Sequence, residues 1–279
     1  MRDDDPLALP DDSVPYAGVP IHLDKPLRQW IFGRLAAENL LGEIADTPAS
    51  RKVALRLRLD SGRENYVTAI LSVPAAELLR VVNAIFQVAP ELVGSWQAIE
   101  EIEETLAFAG SAYRFDQDAR QLVRRVDDTA TAAHSRAVQS IATDAADHLK
   151  AAWLSAYGVD PDPDQAYDEA VRAVEAVACP LLCPNADGRR TLGTAIGVLK
   201  NDINANAPKW HLMLPGASGN PADVGKLVGM LNLLWEGQVS RHAGSTKSRR
   251  QNQSEAEAAV QLAVLLTQWL ATGVLHLKP

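Results

Sequence analysis

The chain has 279 residues and a formal net charge of −8, and 47% of its residues are hydrophobic. This length accommodates one large domain or two of ordinary size, and the composition is that of a globular protein with an apolar core. The acidic balance argues against a general nucleic-acid coat protein, which would be basic because phosphate contacts supply its affinity, but it leaves a local basic groove open.

Residues 1–21 form an acidic, proline-rich segment that begins Met-Arg-Asp-Asp-Asp-Pro. A secretory signal peptide has a basic start and an apolar middle, so this segment predicts a disordered tail instead. Nowhere does the sequence contain an apolar run near the roughly twenty residues that a transmembrane helix requires. We therefore expect a cytoplasmic protein that has no membrane partner.

Residues 22–126 predict a small α+β domain that contains two hairpins. Val53, Leu55 and Leu57 alternate with small or charged residues before a turn signal, and a second alternating run follows it, which is typical of a β-hairpin with one apolar face. In chain order, the predicted elements are a helix from about residue 23, a hairpin over 51–73, helices over about 74–88 and 90–108, and a second hairpin around 113–126.

Residues 127–279 predict a helical domain, which makes the fold class α+β but predominantly α. From Asp127 to Tyr157 the sequence is rich in alanine and free of proline and glycine, so it predicts one long helix that connects the two domains. Asp162 at the N-cap and Pro163 at the first helical position then predict the start of the next helix. The predicted helices that follow run from 163 to 180, from 191 to about 199, from about 227 to 242, and from 254 to 273.

The two cysteines, Cys179 and Cys183, are four residues apart. Two thiolates alone cannot complete a tetrahedral zinc site, and a disulfide within one helical turn is disfavoured in a reducing compartment. We therefore predict buried free thiols, and we expect neither a metal site nor a cofactor.

The candidate site lies where the predicted helix from residue 227 ends, at Arg241 and His242. These residues follow Leu234 and Trp235 by seven positions, so they would project from the side of the helix that carries core residues. A histidine that titrates near neutrality beside an always-charged arginine suits metal-free phosphodiester cleavage. The histidine would transfer a proton, and the arginine would stabilise the developing negative charge. RNA would be the natural substrate because its 2′-hydroxyl supplies the nucleophile.

Neighbouring polar residues could support this pair, but they also allow a structural interpretation. A histidine and an arginine near a helix C-terminus interact favourably with the last carbonyls, and an arginine there could bridge to Glu169 or Glu175 on another helix. The supporting residues are Glu175 and Gln238 as orienting neighbours, and Lys247, Arg249 and Arg250 as nucleic-acid contacts.

Five short segments, in this order, resemble the abortive-infection C-terminal domain family, which is itself similar to the HEPN superfamily of helical bundles. The resemblance covers about residues 150–273, whereas the N-terminal 125 or so residues resemble uncharacterised actinobacterial-type proteins. The segments are 167–176 (YDEAVRAVEA), 191–193 (TLG), 234–238 (LWEGQ), 241–244 (RHAG) and 257–260 (EAAV).

The resemblance implies a helical bundle that forms a homodimer through its C-terminal domain and a role in defence against phage. In HEPN ribonucleases, an arginine is followed after four to six residues by a histidine, and two protomers build one site. Here Arg241 and His242 are adjacent and would point about 100° apart on a helix. Both a ribonuclease and a non-catalytic module that dimerises or binds a nucleotide or partner therefore stay open, as does a regulator whose N-terminal domain senses a ligand.

Overall fold

The structure is a computed structural model that describes residues 15–38, 43–62, 64–92, 96–185, 190–214, 224–241 and 248–278. These residues are mainly helical with small two-stranded sheets, so the predicted class, α+β and predominantly α, is confirmed. In this part of the chain, no helix is both long enough and apolar enough to cross a membrane. The chain divides into two compact units. The first contains Met1–Arg125 and Gly158–Asp160, and the second contains Val126–Tyr157 and Pro161–Pro279.

The helices and strands of the described residues have the following bounds. The helices are α1 (Ile21–Leu35), α2 (Pro48–Leu57), α3 (Tyr66–Leu71), α4 (Leu78–Val88), α5 (Trp96–Phe108), α6 (Asp128–Ser140), α7 (Thr143–Tyr157), α8 (Pro163–Leu182), α9 (Leu192–Ile203), α10 (Val224–Glu236) and α11 (Gln253–Ala271). Short 3₁₀ turns span Ala75–Glu77, Pro90–Leu92 and Val239–Arg241. The strands, in antiparallel pairs, are β1 (Ala37–Glu38) with β2 (Ile44–Ala45), β3 (Tyr113–Asp116) with β4 (Gln121–Arg124), and β5 (Trp210–Leu212) with β6 (Leu275–Leu277).

The first unit packs its helices and the β3–β4 hairpin around one apolar core. Phe86 of α4 contacts Trp30 of α1 and Phe115 of β3, with ring centroids 5.9 and 4.3 Å away, respectively. Strands β3 and β4 pair in an antiparallel register, so the second predicted hairpin is confirmed. Tyr16 lies in the predicted disordered tail but belongs to the fold, because its backbone bonds to those of Gly110 and Ala112, at 2.9 and 2.8 Å. The first fourteen residues of that predicted tail lie outside the described residues.

The predicted hairpin over 51–73 is wrong, because the chain forms α2 and α3 there. Thr47 and Ser50 make a reciprocal capping box: each hydroxyl accepts the other residue's backbone N–H, at 3.0 and 2.9 Å. The alternating leucines do not share a buried face, since Leu55 is 68% exposed while Ala49 and Val53, one helical turn apart, are buried. Asn65 caps α3 by accepting the N–H of Thr68 at 2.7 Å. Local capping therefore decides the structure here.

The predicted long connecting helix is also wrong, because it is interrupted between α6 and α7. Ile141 has an extended backbone, with φ −114° and ψ 163°. The hydroxyl of Ser140 donates to the carbonyl of Ala137 at 2.9 Å, which competes with the helical hydrogen bonds. Both helices bury residues in the core of the second unit, including Ala137 and Leu149. They belong to one bundle, and neither serves as a separate connector.

In the second unit, α8 is the central helix and packs against α7, α9 and α11. Asp162 caps it by accepting the N–H of Gln165 at 3.1 Å, as predicted, and the helix continues past Pro180 to Leu182. Helix α11 begins at Gln253, one residue before the predicted start, and Asn252 caps it by accepting the N–H of Glu255.

Two short strands in the second unit were not predicted. Strand β5 lies between α9 and α10, and β6 follows α11. Gly273 has φ +76°, a conformation that glycine adopts without strain, and there the chain turns from α11 toward β6. Trp210 and Leu275 bury one face of this ribbon in the core.

Candidate functional site

Helix α10 ends before the predicted Arg-His pair. It stops at Glu236, and a 3₁₀ turn over Val239–Arg241 follows. The argument that Arg241 shares a helical face with Leu234 is therefore wrong, because the helical period does not continue to residue 241. The side chain of Arg241 and the whole of His242 and Lys247 lie outside the described residues.

Helix α8 closely approaches Gly237, the residue that follows the last residue of α10. A Cβ atom at this position would collide with the hydroxyl of Tyr167 and would lie 2.8 Å from the carbonyl oxygen of Leu233. The Tyr167 hydroxyl donates to the carbonyl of Leu234 at 3.1 Å. Burial, with a smaller contribution from the charge of Glu255, raises the pKa of Tyr167 to about 12, so this hydroxyl remains a donor at neutral pH.

Gln238 begins the connection between α10 and α11, and it is held on α8. Its side chain is buried, and Nε2 donates to the Oδ1 atom of Asp168 at 3.1 Å. Asp168 also pairs with Arg172 one turn later, at 2.9 Å. Gln238 therefore anchors the first end of the connection through its hydrogen bond to Asp168.

Gln251 anchors the other end of the same connection. Its backbone N–H donates to the Oδ1 atom of Asp164 at 2.8 Å, and its side-chain Nε2 donates to the carbonyl of Gly237 at 2.9 Å. Asp164 and Asp168 are four residues apart, so they lie on one face of α8. The segment from 239 to 250, which we call the anchored loop, thus leaves and returns to the same face of α8.

A groove of about 520 Å³ runs beside the described part of the anchored loop. Its lining residues are Asp162, Asp164, Gln165, Asp168, Gln238, Ser240 and Arg250. Three carboxylates and one guanidinium line it, so the α8 wall is acidic. Each carboxylate accepts a hydrogen bond from the protein, and Asp168 also has Arg172 beside it, which offsets part of the negative charge.

Two of the predicted nucleic-acid contacts, Arg249 and Arg250, belong to the described residues, and their surroundings differ. Arg249 forms a two-pronged ion pair with Glu255 in the first turn of α11; NH1 lies 2.8 Å from Oε2. This hydrogen bonding, with the backbone N–H of Asn252, lowers the pKa of Glu255 to about 2. Arg250 is exposed and lines the groove. Of the two, Arg250 is the one that faces the groove.

The predicted supporting residue Glu175 contacts another element. Its Oε1 atom accepts the backbone N–H of Leu192 at 2.7 Å, in the first turn of α9. Nearby, a Cβ on Gly193 would lie 3.1 Å from the ring of Trp235. Glu175 thus helps to join α8 to the start of α9, where α10 also packs, and it does not line the groove.

A polar cluster on α7 and α8 was not identified from the sequence. The buried carboxylate of Glu169 lies 2.6 Å from Nδ1 of His148 and accepts from Nε2 of Gln165 at 2.8 Å. Arg172 lies 3.6 Å from the same carboxylate. The sequence had suggested Glu169 as a partner for Arg241. The spacing of 165, 169 and 172 on one helix was the signal available.

Comparison of the chain with protein-family models, with curated proteins and with solved structures finds no match. Within the described ranges, no group of three or more His, Cys, Asp or Glu side chains is placed to hold a metal ion. The class that the fold defines is a two-unit, predominantly helical α+β protein. The link to the abortive-infection family stays a prediction from the five sequence segments.

Proposed function

We propose that the second unit is an abortive-infection-type effector domain that acts as a homodimer and cleaves RNA without a metal. The observation that carries this proposal is the anchored loop, because Asp168 and Asp164 hold its two ends on one face of α8 through Gln238 and Gln251. Functional side chains are often found on loops that a rigid scaffold positions. Arg241 and His242 belong to this loop.

The chemistry follows from the two residue types. His242 takes the proton of a ribose 2′-hydroxyl or gives one to the leaving oxygen, and Arg241 stabilises the charge on the phosphorane. The exposed Arg250 adds a positive charge at the groove, where the aspartates of α8 are already engaged with the protein. The RNA strand thus approaches the anchored loop from the side on which Arg250 lies.

The test is cleavage of several single-stranded RNAs in EDTA by purified protein. We expect His242→Ala and Arg241→Ala to lose cleavage while they retain the circular dichroism spectrum of the wild type. His22→Ala and Arg56→Ala, both in the first unit, are matched controls that should retain full activity. Unchanged cleavage in both site variants would exclude the pair as the catalytic residues.

A non-catalytic binding module is the second candidate, and the charge of the groove favours it. Three aspartates line a wall beside one arginine, and such a wall suits a cationic side chain of a partner better than a phosphate. Under this proposal the wild type cleaves no RNA, whereas sedimentation still detects a homodimer. Arg241→Ala would then change the stability or the dimer and would leave RNA cleavage unaffected.

A further inference from the structure

The β5–β6 ribbon places two histidines directly opposite each other. His211 pairs with His276 in the antiparallel register, and their ring centroids are 6.5 Å apart with an interplanar angle of 35°. Directly opposed residues project from the same face of a ribbon. The other face carries Trp210 and Leu275, which are buried in the core. Core packing thus fixes the register that brings the two imidazoles together.

Each imidazole has a buried ring nitrogen without a hydrogen-bond partner. These atoms are Nε2 of His211 and Nδ1 of His276. Buried polar atoms are nearly always satisfied, so each exception requires an explanation such as a bound water or ion. Two exceptions on directly paired histidines point to one shared occupant.

We propose that His211 and His276 together bind one divalent transition-metal ion. Neutral imidazole nitrogen is a common ligand for zinc, nickel and copper. Such a nitrogen lies about 2.0–2.1 Å from zinc, so two rings on one tetrahedral ion have centres about 5 Å apart. The observed separation of 6.5 Å must therefore shorten by roughly 1.5 Å when the ion binds, through rotation of the two histidine side chains.

Water molecules complete the coordination, because among the described residues no third His, Cys, Asp or Glu joins the pair. A bound ion would also join β6, near the C-terminus of the chain, to β5. Because an ion that binds only the folded state stabilises that state by mass action, zinc should raise the melting temperature.

The test is a calorimetric titration of Zn²⁺ into the full chain, from which any purification tag has been removed. We expect one ion per chain in the wild type. Loss of a partner that only orients a ligand costs 10- to 100-fold in metal affinity, so His211→Asn and His276→Asn should each weaken binding by about tenfold or more. His148→Asn is the matched control, since His148 has two carboxylates nearby, and it should bind zinc as the wild type does.

Two further measurements do not depend on the folding of a variant. The melting temperature of the wild type should rise with Zn²⁺ and return to its starting value after EDTA is added. The electron paramagnetic resonance spectrum of the wild type with one equivalent of Cu²⁺ should contain coupling to two imidazole nitrogens. A lack of saturable binding by the wild type would overturn the proposal, as would zinc binding that persists in both variants. A copper spectrum without nitrogen coupling would equally overturn it, leaving bound water as the occupant.

Discussion

At the scale of single residues, Gly237 is the position where packing most clearly restricts the sequence. The hydroxyl of Tyr167 and the carbonyl of Leu233 occupy the space that a Cβ would need. We expect Gly237→Ala to lower the free energy of unfolding by about 1–3 kcal/mol, because neighbouring groups in a well-packed region must move. Denaturant unfolding monitored by circular dichroism measures this change.

Gly229 provides a matched control for that substitution, because it lies on α10 itself and no atom is within 4 Å of the position that a Cβ would take there. Gly229→Ala should therefore raise the free energy of unfolding by about 0.5–1 kcal/mol through the better helix propensity of alanine. Equal effects of the two substitutions would mean that α8 does not approach Gly237 as described.

The thiol of Cys179 should be unreactive in the folded protein. Burial and the neighbouring Cys183 thiol raise its pKa to about 12 from the ordinary value of 9.0. Because the thiolate is the nucleophile, labelling by a thiol reagent at pH 8 should require unfolding. The raised pKa stabilises the fold below about pH 9 and this contribution is lost as the pH rises toward 12. Rapid labelling of both cysteines in native protein would contradict this prediction.

The ion pair of Arg249 with Glu255 makes stability depend on acid pH. The pKa of Glu255 is lowered to about 2 in the fold from an ordinary 4.5, so its contribution is present above pH 4.5 and is lost as the pH falls toward 2. As the pH falls from 4.5 toward 2, the free energy of unfolding of Glu255→Gln should therefore decrease less than that of the wild type. Glu257→Gln on the same helix is the control, and urea unfolding at a series of pH values is the measurement. Parallel pH profiles for wild type and Glu255→Gln would contradict the assignment.

At the scale of elements, capping side chains decide where the sequence-based expectations succeed. Asp162 was recognised as an N-cap, and it accepts the N–H of Gln165, three residues later in α8. Thr47 and Asn65 cap in the same way, but the alternating leucines of 51–73 suggested strands. The apolar residues of that segment fit both the helical period of about 3.6 residues and the strand period of about 2, so only the caps distinguish a helix from a strand.

The cap of α2 gives a prediction at this scale. Thr47 accepts the N–H of Ser50 and also donates its hydroxyl to the carbonyl of Leu35 at 3.1 Å. Thr47→Ala should cost about 1 kcal/mol, which is typical for loss of an N-cap. Thr47→Ser keeps the hydroxyl and should retain most of the stability. A Thr47→Ala variant as stable as the wild type would indicate that this segment does not depend on its cap.

Tertiary contacts explain the remaining differences between the predicted and the observed elements. The β5–β6 ribbon joins segments more than sixty residues apart, and neither strand has a local pattern that indicates the other. The Tyr167 hydroxyl that donates to the carbonyl of Leu234 near the end of α10 comes from another helix. For the candidate site, the sequence identified Gln238 and Arg250 as polar residues near the Arg-His pair. It could not indicate that Asp164 and Asp168 hold the two ends of one loop.

At the scale of the whole molecule, charge argues against general binding of nucleic acid, as the net charge of −8 indicates. Any action on RNA must therefore be local, at the anchored loop, and must tolerate the acidic wall of α8. Salt should consequently have a modest effect on RNA binding compared with that seen for a basic nucleic-acid coat protein, since few phosphates are neutralised.

The most direct test of the central claim uses the substrate and leaves the protein unchanged. Wild-type protein in EDTA is incubated with an RNA oligonucleotide that it cleaves and with the same sequence containing a 2′-deoxyribose at the scissile position. We predict cleavage of the first and none at the modified position of the second, because the reaction needs the 2′-hydroxyl as the nucleophile. Cleavage of both oligonucleotides at that position, or of no RNA among several tested, would contradict the proposed ribonuclease function.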